Sequence, residues 1–127
     1  MSQGPEAKVK REVKRQLKAL GAYQYWPVMQ GFGATTVDCL ACLAGAFVAI
    51  ETKAPGKKPT PLQLTTLERI RISGGISLVI DSVDMAKSLP EMLNAEYHVV
   101  ARKSGSCFSG GLPAGTVARL RPNRDVA

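Results

Sequence analysis

Two predicted strands with charged ends lie in residues 36–53, TVDCLACLAGAFVAIETK. The stretch from residue 39 to residue 50 is apolar except at Gly45, which suits a tight turn after Ala44. The pattern predicts a β-hairpin with strands at 36–43 and 46–53. Charges at the ends of buried strands cost free energy, and proteins usually keep them where they do chemistry.

Two acids and a lysine stand at those strand ends. Asp38 lies on the first strand, and Glu51 and Lys53 share one face of the second because side chains alternate along a strand. Two carboxylates can hold a divalent ion that polarises a phosphate and lowers the pKa of a water, while a lysine positions the water or offsets phosphate charge. The alternative is an exposed pair, Glu51 with Lys53, at an ordinary strand end.

Composition limits the class of protein. A chain of 127 residues with 45% apolar residues and a net charge of +7 suits one domain with an anionic partner, nucleic acid first and an anionic membrane surface second. No apolar run reaches the roughly 18–20 residues that span a bilayer, and no secretory signal is visible. Three cysteines, an odd number, favour a reducing compartment. We expect a cytoplasmic protein.

An amphipathic helix is predicted over residues 5–20. Its apolar stripe comprises four residues at helical spacing, Val9, Val13, Leu17 and Leu20. By helical phase, Glu6 falls within this stripe and points inward, whereas Glu12 is a surface acid. Glu6 is equally typical of a first-turn residue that favours the helix dipole.

The remaining pattern predicts an α/β fold, a central mixed β-sheet flanked by helices. Thr60, Pro61 and Gln63 form a capping box that begins a helix ended by Gly74-Gly75. The other predicted elements are an edge strand at 23–29, loops at 30–35 and 54–59, a buried strand at 76–81, a helix at 82–94 bent or split at Pro90, a strand at 97–101 and a loop at 104–115. We predict one domain, 1–127, with a core at about 5–95 and a C-terminal extension at 96–127.

Taken in order, four motifs resemble the VRR-Nuc branch of the PD-(D/E)xK nucleases. They are Asp38, Ile50-Glu51-Thr52-Lys53, Thr60-Pro61-Leu62-Gln63 and Gly74-Gly75, and the resemblance covers about residues 5–84. It implies a restriction-endonuclease-like core. The family usually shows Gly-x-Pro-Asp at the first acid, whereas Thr35-Thr36-Val37 precedes Asp38 here.

The resemblance implies a role for each site residue. Glu6, Asp38, Glu51 and the main-chain carbonyl of Thr52 would be metal ligands for Mg²⁺, with Mn²⁺ as a substitute. Lys53 would be the active-site lysine, and Gln63 would support the site from its helix.

The resemblance also implies a metal-dependent DNA endonuclease. It points to structure-specific cutting of branched DNA, such as four-way (Holliday) junctions, by a symmetric homodimer. Small stand-alone members of the family suggest a phage gene product, which would act in the host cell cytoplasm. We expect no membrane association. We also expect no nucleotide cofactor, because neither Gly31-Phe32-Gly33 nor Gly56-Lys57-Lys58 matches a nucleotide-binding loop.

Four lysines are candidates for contact with DNA phosphates. Lys57 and Lys58 follow the predicted site on a loop, and Lys10 and Lys14 lie on the basic face of the first helix. The alternative is that all four are solvated.

Three other interpretations stay open. The chain could be a non-catalytic, basic nucleic-acid-binding protein that keeps the fold, or a basic assembly protein. It could also be a zinc or dithiol protein built on Cys39 and Cys42, although two buried apolar cysteines fit a strand better.

Overall fold

The computed structural model describes residues 4–28 and 37–104, with side chains as far as His98. The elements in chain order are α1 (Pro5–Leu20), β1 (Tyr23–Tyr25), β2 (Cys39–Leu43), β3 (Ala46–Thr52), α2 (Pro61–Ile72), β4 (Ile76–Ile80), α3 (Val83–Lys87) and α4 (Leu89–Ser104). Among the described residues, none of the helices combines the length and apolar character needed to cross a bilayer.

The four strands form one sheet in the order β1-β2-β3-β4, and the sheet is mixed, as predicted. β2 is antiparallel to β1 and to β3, and β4 is parallel to β3. The β2–β3 hairpin turns at Ala44 and Gly45, whose φ angles are 52° and 85°. Two successive positive φ angles match the twist of the flanking strands, so this turn fixes the register of the hairpin.

Both faces of the sheet are covered. On one face, α1 buries its predicted stripe against β3 and β4, together with residues of α3 and α4. On the other face, Leu67 of α2 packs with Val37 and Ala49. Residues 48 and 50 of β3 point toward α1, whereas residue 49 points toward α2. The end of β3 therefore lies between two helical layers.

The strand predicted at 97–101 is wrong, because α4 runs through it. Leu89, Leu93 and Tyr97 are buried at i, i+4 and i+8, the spacing of a helix face. The Tyr97 hydroxyl donates a hydrogen bond of 2.9 Å to the Ala44 carbonyl, which joins α4 to the hairpin turn.

Other predicted boundaries are corrected by smaller amounts. β1 ends at Tyr25, ahead of Pro27, which lacks the N–H that a continuing strand would use. β2 begins at Cys39 rather than at residue 36. The split near Pro90 is confirmed, and Pro90 lies in the first turn of α4, where a missing N–H costs no helical bond. The loop predicted at 30–35 lies outside the described residues. Of the loop predicted at 104–115, Ser104 is the last residue of α4 and the rest lies outside the described residues.

Candidate active site

Asp38, Glu51 and Thr52 are joined by hydrogen bonds at one end of the hairpin. Asp38 Oδ2 accepts from the Thr52 N–H at 3.0 Å and from the Thr52 hydroxyl at 2.7 Å. Glu51 Oε1 accepts from the Asp38 N–H at 3.1 Å. The register pairs Cys39 with Ile50, so Asp38 and Glu51 lie one step beyond the last pair. The register therefore brings the two acids to adjacent positions at this end of the sheet.

Lys53 pairs with Glu51 in a largely desolvated setting. The Lys53 Nζ lies 3.2 Å from Glu51 Oε2, with side chains 16% and 1% exposed. Burial raises the pKa of Glu51 above its ordinary value, and the charge of Asp38 adds to that shift. Lys53 and the Asp38 N–H act in the opposite direction but do not cancel it. A further cation beside Glu51 would offset this cost of charging its carboxylate.

Glu6 lies at the rim of this group, and Lys10 stands between it and Asp38. The Lys10 Nζ is 3.6 Å from Glu6 Oε2 and 3.9 Å from Asp38 Oδ1. The Glu6 side chain is 45% exposed, so it does not point into the core as its helical phase predicted. Glu12, predicted to be a surface acid, has a side chain only 13% exposed. Hydrogen bonds from Arg15 and Gln16 hold it there, and the first of these is the main cause of its lowered pKa.

The donor set suits a hard divalent cation but is incomplete as a protein cage. Among residues 4–28 and 37–104, the acid, histidine and cysteine side chains form no group of three placed to hold a metal ion. Glu6 is thus not gathered with Asp38 and Glu51 into one ligand set. Mg²⁺ is commonly held by one or two carboxylates with waters and substrate phosphates, so the pair Asp38 and Glu51 fits that ion. The ligand role of the Thr52 carbonyl stays a prediction.

Gln63 takes part in capping the N-terminus of α2. Its side-chain Oε1 accepts from the Thr60 N–H at 2.8 Å, and the Thr60 hydroxyl accepts from the Gln63 N–H at 3.2 Å. This confirms the predicted capping box. Its described hydrogen bonds both go to Thr60, and its support of the site stays a prediction.

The candidate DNA-contacting lysines have different surroundings. Lys57 and Lys58 are exposed on the loop that leaves β3 just after Lys53. Lys14 is exposed, and its ammonium lies 4.9 Å from the centre of the Trp26 ring. Lys10 is the one of the four that reaches the acids. It lines a cavity of about 330 Å³ together with Glu6 and Ala54, so this cavity adjoins the candidate site.

The two strand cysteines have opposite surroundings on β2. Cys39 is buried and Cys42 is exposed, and both are free, which corrects the expectation that both are buried. Burial raises the pKa of Cys39 to about 12, which makes it a poor nucleophile. His98, the lone histidine, is exposed. These residues lend no support to a zinc or dithiol protein.

Comparisons with known proteins agree with this geometry. No protein-family model matches the chain. Over 85 residues it is 31% identical to "Putative nuclease p44" of Acyrthosiphon pisum secondary endosymbiont phage 1, covering 67% of this chain and 91% of that protein. A solved structure described as "VRR_NUC domain" is 29% identical, superposes with a TM-score of 0.60, and is matched over 68% of this chain and 95% of its own.

Proposed function

Because this chain belongs to the VRR-Nuc family of nucleases, we propose that it is a metal-dependent DNA endonuclease that cuts branched DNA. The observation that carries the proposal is the group of Asp38, Glu51 and Lys53, in which Glu51 is buried and the other two are partly buried. Glu51 accepts a hydrogen bond from the Asp38 N–H and forms an ion pair with Lys53. Two acids beside a single lysine, one of them buried, suit phosphodiester hydrolysis.

Asp38 and Glu51 would hold the divalent ion, with the Thr52 carbonyl as a further ligand. Glu6, which lies at the rim beside Lys10, would have to turn inward to join them. Bound Mg²⁺ or Mn²⁺ would supply Lewis acidity at the phosphate and lower the pKa of a water. Thr52 fixes the orientation of the Asp38 carboxylate through two hydrogen bonds. Lys53, held by Glu51, would orient the attacking water or offset the negative charge that develops on the phosphate.

Positive charge near the site would hold the DNA backbone. Lys57 and Lys58 lie on the exposed loop directly after Lys53, and Lys14 lies on the exposed face of α1. These side chains can contact phosphates without reading bases, as recognition of DNA shape requires. In our proposal the substrate is a branched structure such as a four-way junction. A symmetric homodimer would present two such sites to matching strands.

The location proposed is the cytoplasm of a phage-infected cell. The similar "Putative nuclease p44" comes from a phage, which supports this setting.

A cleavage assay tests the proposal. Labelled single-stranded, duplex, flapped and four-way-junction DNA are incubated with Mg²⁺ or Mn²⁺ and with wild type, Asp38→Ala or Lys53→Ala. We expect both variants to lose at least about a hundredfold in rate while still binding DNA. Asp84→Ala and Lys18→Ala, which change exposed residues of the same types, are the matched controls.

The same assay separates the rival functions. If wild type binds the junction with or without metal and never cuts it, the chain is a non-catalytic binding protein. If cleavage is equal on duplex and junction, the nuclease function stands and the preference for branches fails. Sedimentation of the protein with and without the junction tests the dimer.

A further inference from the structure

Lys10 holds a position that the family resemblance does not assign. Its ammonium is 3.6 Å from Glu6 and 3.9 Å from Asp38, two of the acids proposed as metal ligands. Its side chain is 35% exposed and lines the cavity of about 330 Å³ beside the site. Lys10 therefore lies between the acids of the site and the adjoining cavity, in contact with both.

The two lysines of the site differ in how firmly they are held. Lys53 is 16% exposed and lies 3.2 Å from an acid that is 1% exposed. Lys10 is more exposed, and its two contacts are longer. Long, partly exposed ion pairs are worth little free energy, so Lys10 can leave its acids at small cost.

A lysine between two acids competes with a metal ion for them. The Lys10 ammonium lies 3.9 Å from Asp38 Oδ1, so it would repel a divalent cation held by Asp38. A DNA phosphate that enters the adjoining cavity would attract the same ammonium. Movement of Lys10 toward the phosphate would remove the repulsion.

Resting on the proposed function, we propose that Lys10 is a positioning residue that couples DNA binding to metal binding. Without DNA, its ammonium neutralises Glu6 and Asp38 and weakens their hold on a divalent ion. With DNA, it turns to a backbone phosphate and leaves the acids to the metal. The site thus binds its ion more tightly when a substrate is present.

The first test measures Mn²⁺ binding in the absence of DNA, by the loss of the free-ion electron paramagnetic resonance signal. We expect Lys10→Met to bind Mn²⁺ about five- to tenfold more tightly than wild type, because a nearby positive charge is lost. Lys10→Arg keeps the charge and should stay within about twofold of wild type. Lys8→Met removes an exposed lysine from the opposite side of α1 and should do the same.

The second test measures the coupling with a four-way junction as the probe, in a Lys53→Ala background that keeps the DNA intact. We expect the junction to tighten Mn²⁺ binding about fivefold when Lys10 is present. The tightening should largely vanish when Lys10→Met is added. If Lys10 had only a structural role, Lys10→Met would lower the stability of the protein without raising its affinity for Mn²⁺.

The outcomes separate this inference from the nuclease function. Active protein whose Mn²⁺ affinity is unchanged by Lys10→Met overturns the role of Lys10 and leaves the nuclease standing. Tighter Mn²⁺ binding in a protein that cuts no DNA overturns the nuclease and leaves the competition at the acids. If neither wild type nor Lys10→Met binds Mn²⁺, both fail.

Discussion

Thr52 donates two hydrogen bonds to one oxygen of Asp38, from its N–H at 3.0 Å and from its hydroxyl at 2.7 Å. The other carboxylate oxygen, Oδ1, is the one that faces Lys10 at 3.9 Å. Thr52 is fully buried, so the orientation it gives to the carboxylate is set by the core of the sheet. Thr52, the middle residue of the Glu-Thr-Lys triplet, therefore fixes the orientation of the Asp38 carboxylate.

Replacing Thr52 by Val removes the hydroxyl donor and keeps the side-chain shape and the N–H. We expect the free energy of unfolding to fall by about 1 kcal/mol and the cleavage rate to fall about tenfold, since Asp38 loses one of its two anchors. Chemical denaturation and the junction cleavage assay measure the two effects. Thr65→Val is the control, because its exposed hydroxyl bonds within α2. Cleavage at the wild-type rate would show that the hydroxyl does not position Asp38.

The raised pKa of Glu51 makes a prediction about stability and pH in the metal-free protein. Burial raises this pKa above its ordinary value of 4.5, so the unfolded chain releases the proton first as pH rises. The native state then loses stability between the ordinary and the raised pKa. Glu51→Gln has no charge to bury, so we expect it to melt at a higher temperature than wild type at neutral pH. The difference should shrink as the pH falls toward 4.5.

Thermal unfolding in a chelating buffer, from about pH 8 down to about pH 4, checks the effect of Glu51→Gln. Glu68→Gln, at an exposed acid on α2, is the control and should show no such trend. A lower melting temperature for Glu51→Gln at neutral pH would mean that the ion pair with Lys53 outweighs the cost of burial.

Much of the fold follows from short-range pattern. The continuous apolar run at 39–50 and the Ala44-Gly45 turn predict the hairpin, and its register brings Asp38 to Glu51. The strand predicted at 97–101 is wrong because Leu89, Leu93 and Tyr97 form one buried helix face, whose spacing continues α4 through this segment. The hydrogen bond from Tyr97 to Ala44 joins residues 53 positions apart, so no local sequence pattern predicts it.

The sequence identifies Asp38 and Glu51 as candidate site acids but does not reveal the residues that surround them. Helical phase placed Glu6 inward and Glu12 outward, but phase takes no account of side-chain partners. Lys10 draws Glu6 to the rim, and Arg15 and Gln16 hold Glu12 against the helix. The hydroxyl of Thr52 was missed because its partner is on another strand, so that only the register reveals the contact.

Glycine is required at position 75 because Ile70 and the backbone of Phe47 approach its Cα too closely to leave room for a Cβ. A Cβ at this position would lie 2.8 Å from Cγ2 of Ile70 and 3.2 Å from the carbonyl oxygens of Ile70 and Phe47. We expect Gly75→Ala to lower the free energy of unfolding by about 1–3 kcal/mol, because the helix end must shift away from β3. Urea denaturation measures the loss. Ser73→Ala, at an exposed site on the same helix end, should change it by less than about 0.5 kcal/mol. Equal stability of the two variants would refute the clash.

Tyr97 tests whether the start of the predicted extension belongs to the core. Its ring is 3% exposed and its hydroxyl bonds to Ala44. Tyr97→Phe keeps the ring and removes the donor, so we expect a loss of about 1 kcal/mol in the free energy of unfolding. Tyr25→Phe, whose side chain is exposed on the edge strand, should be neutral. Neutral behaviour of Tyr97→Phe would mean that α4 does not hold the hairpin turn in solution.

A pair of substitutions can distinguish the role of Gln63 in capping α2 from its proposed role in supporting the site. Gln63→Glu retains an oxygen that accepts from Thr60, so the capping box and the stability should persist. Gln63→Ala loses that acceptor and should cost about 1 kcal/mol. If Gln63 also supports the site through its amide N–H, Gln63→Glu should cut DNA about tenfold more slowly despite its normal stability, because it loses a donor and adds negative charge. Cleavage and denaturation measured on both variants decide the matter, and normal cleavage by Gln63→Glu would confine this residue to the helix cap.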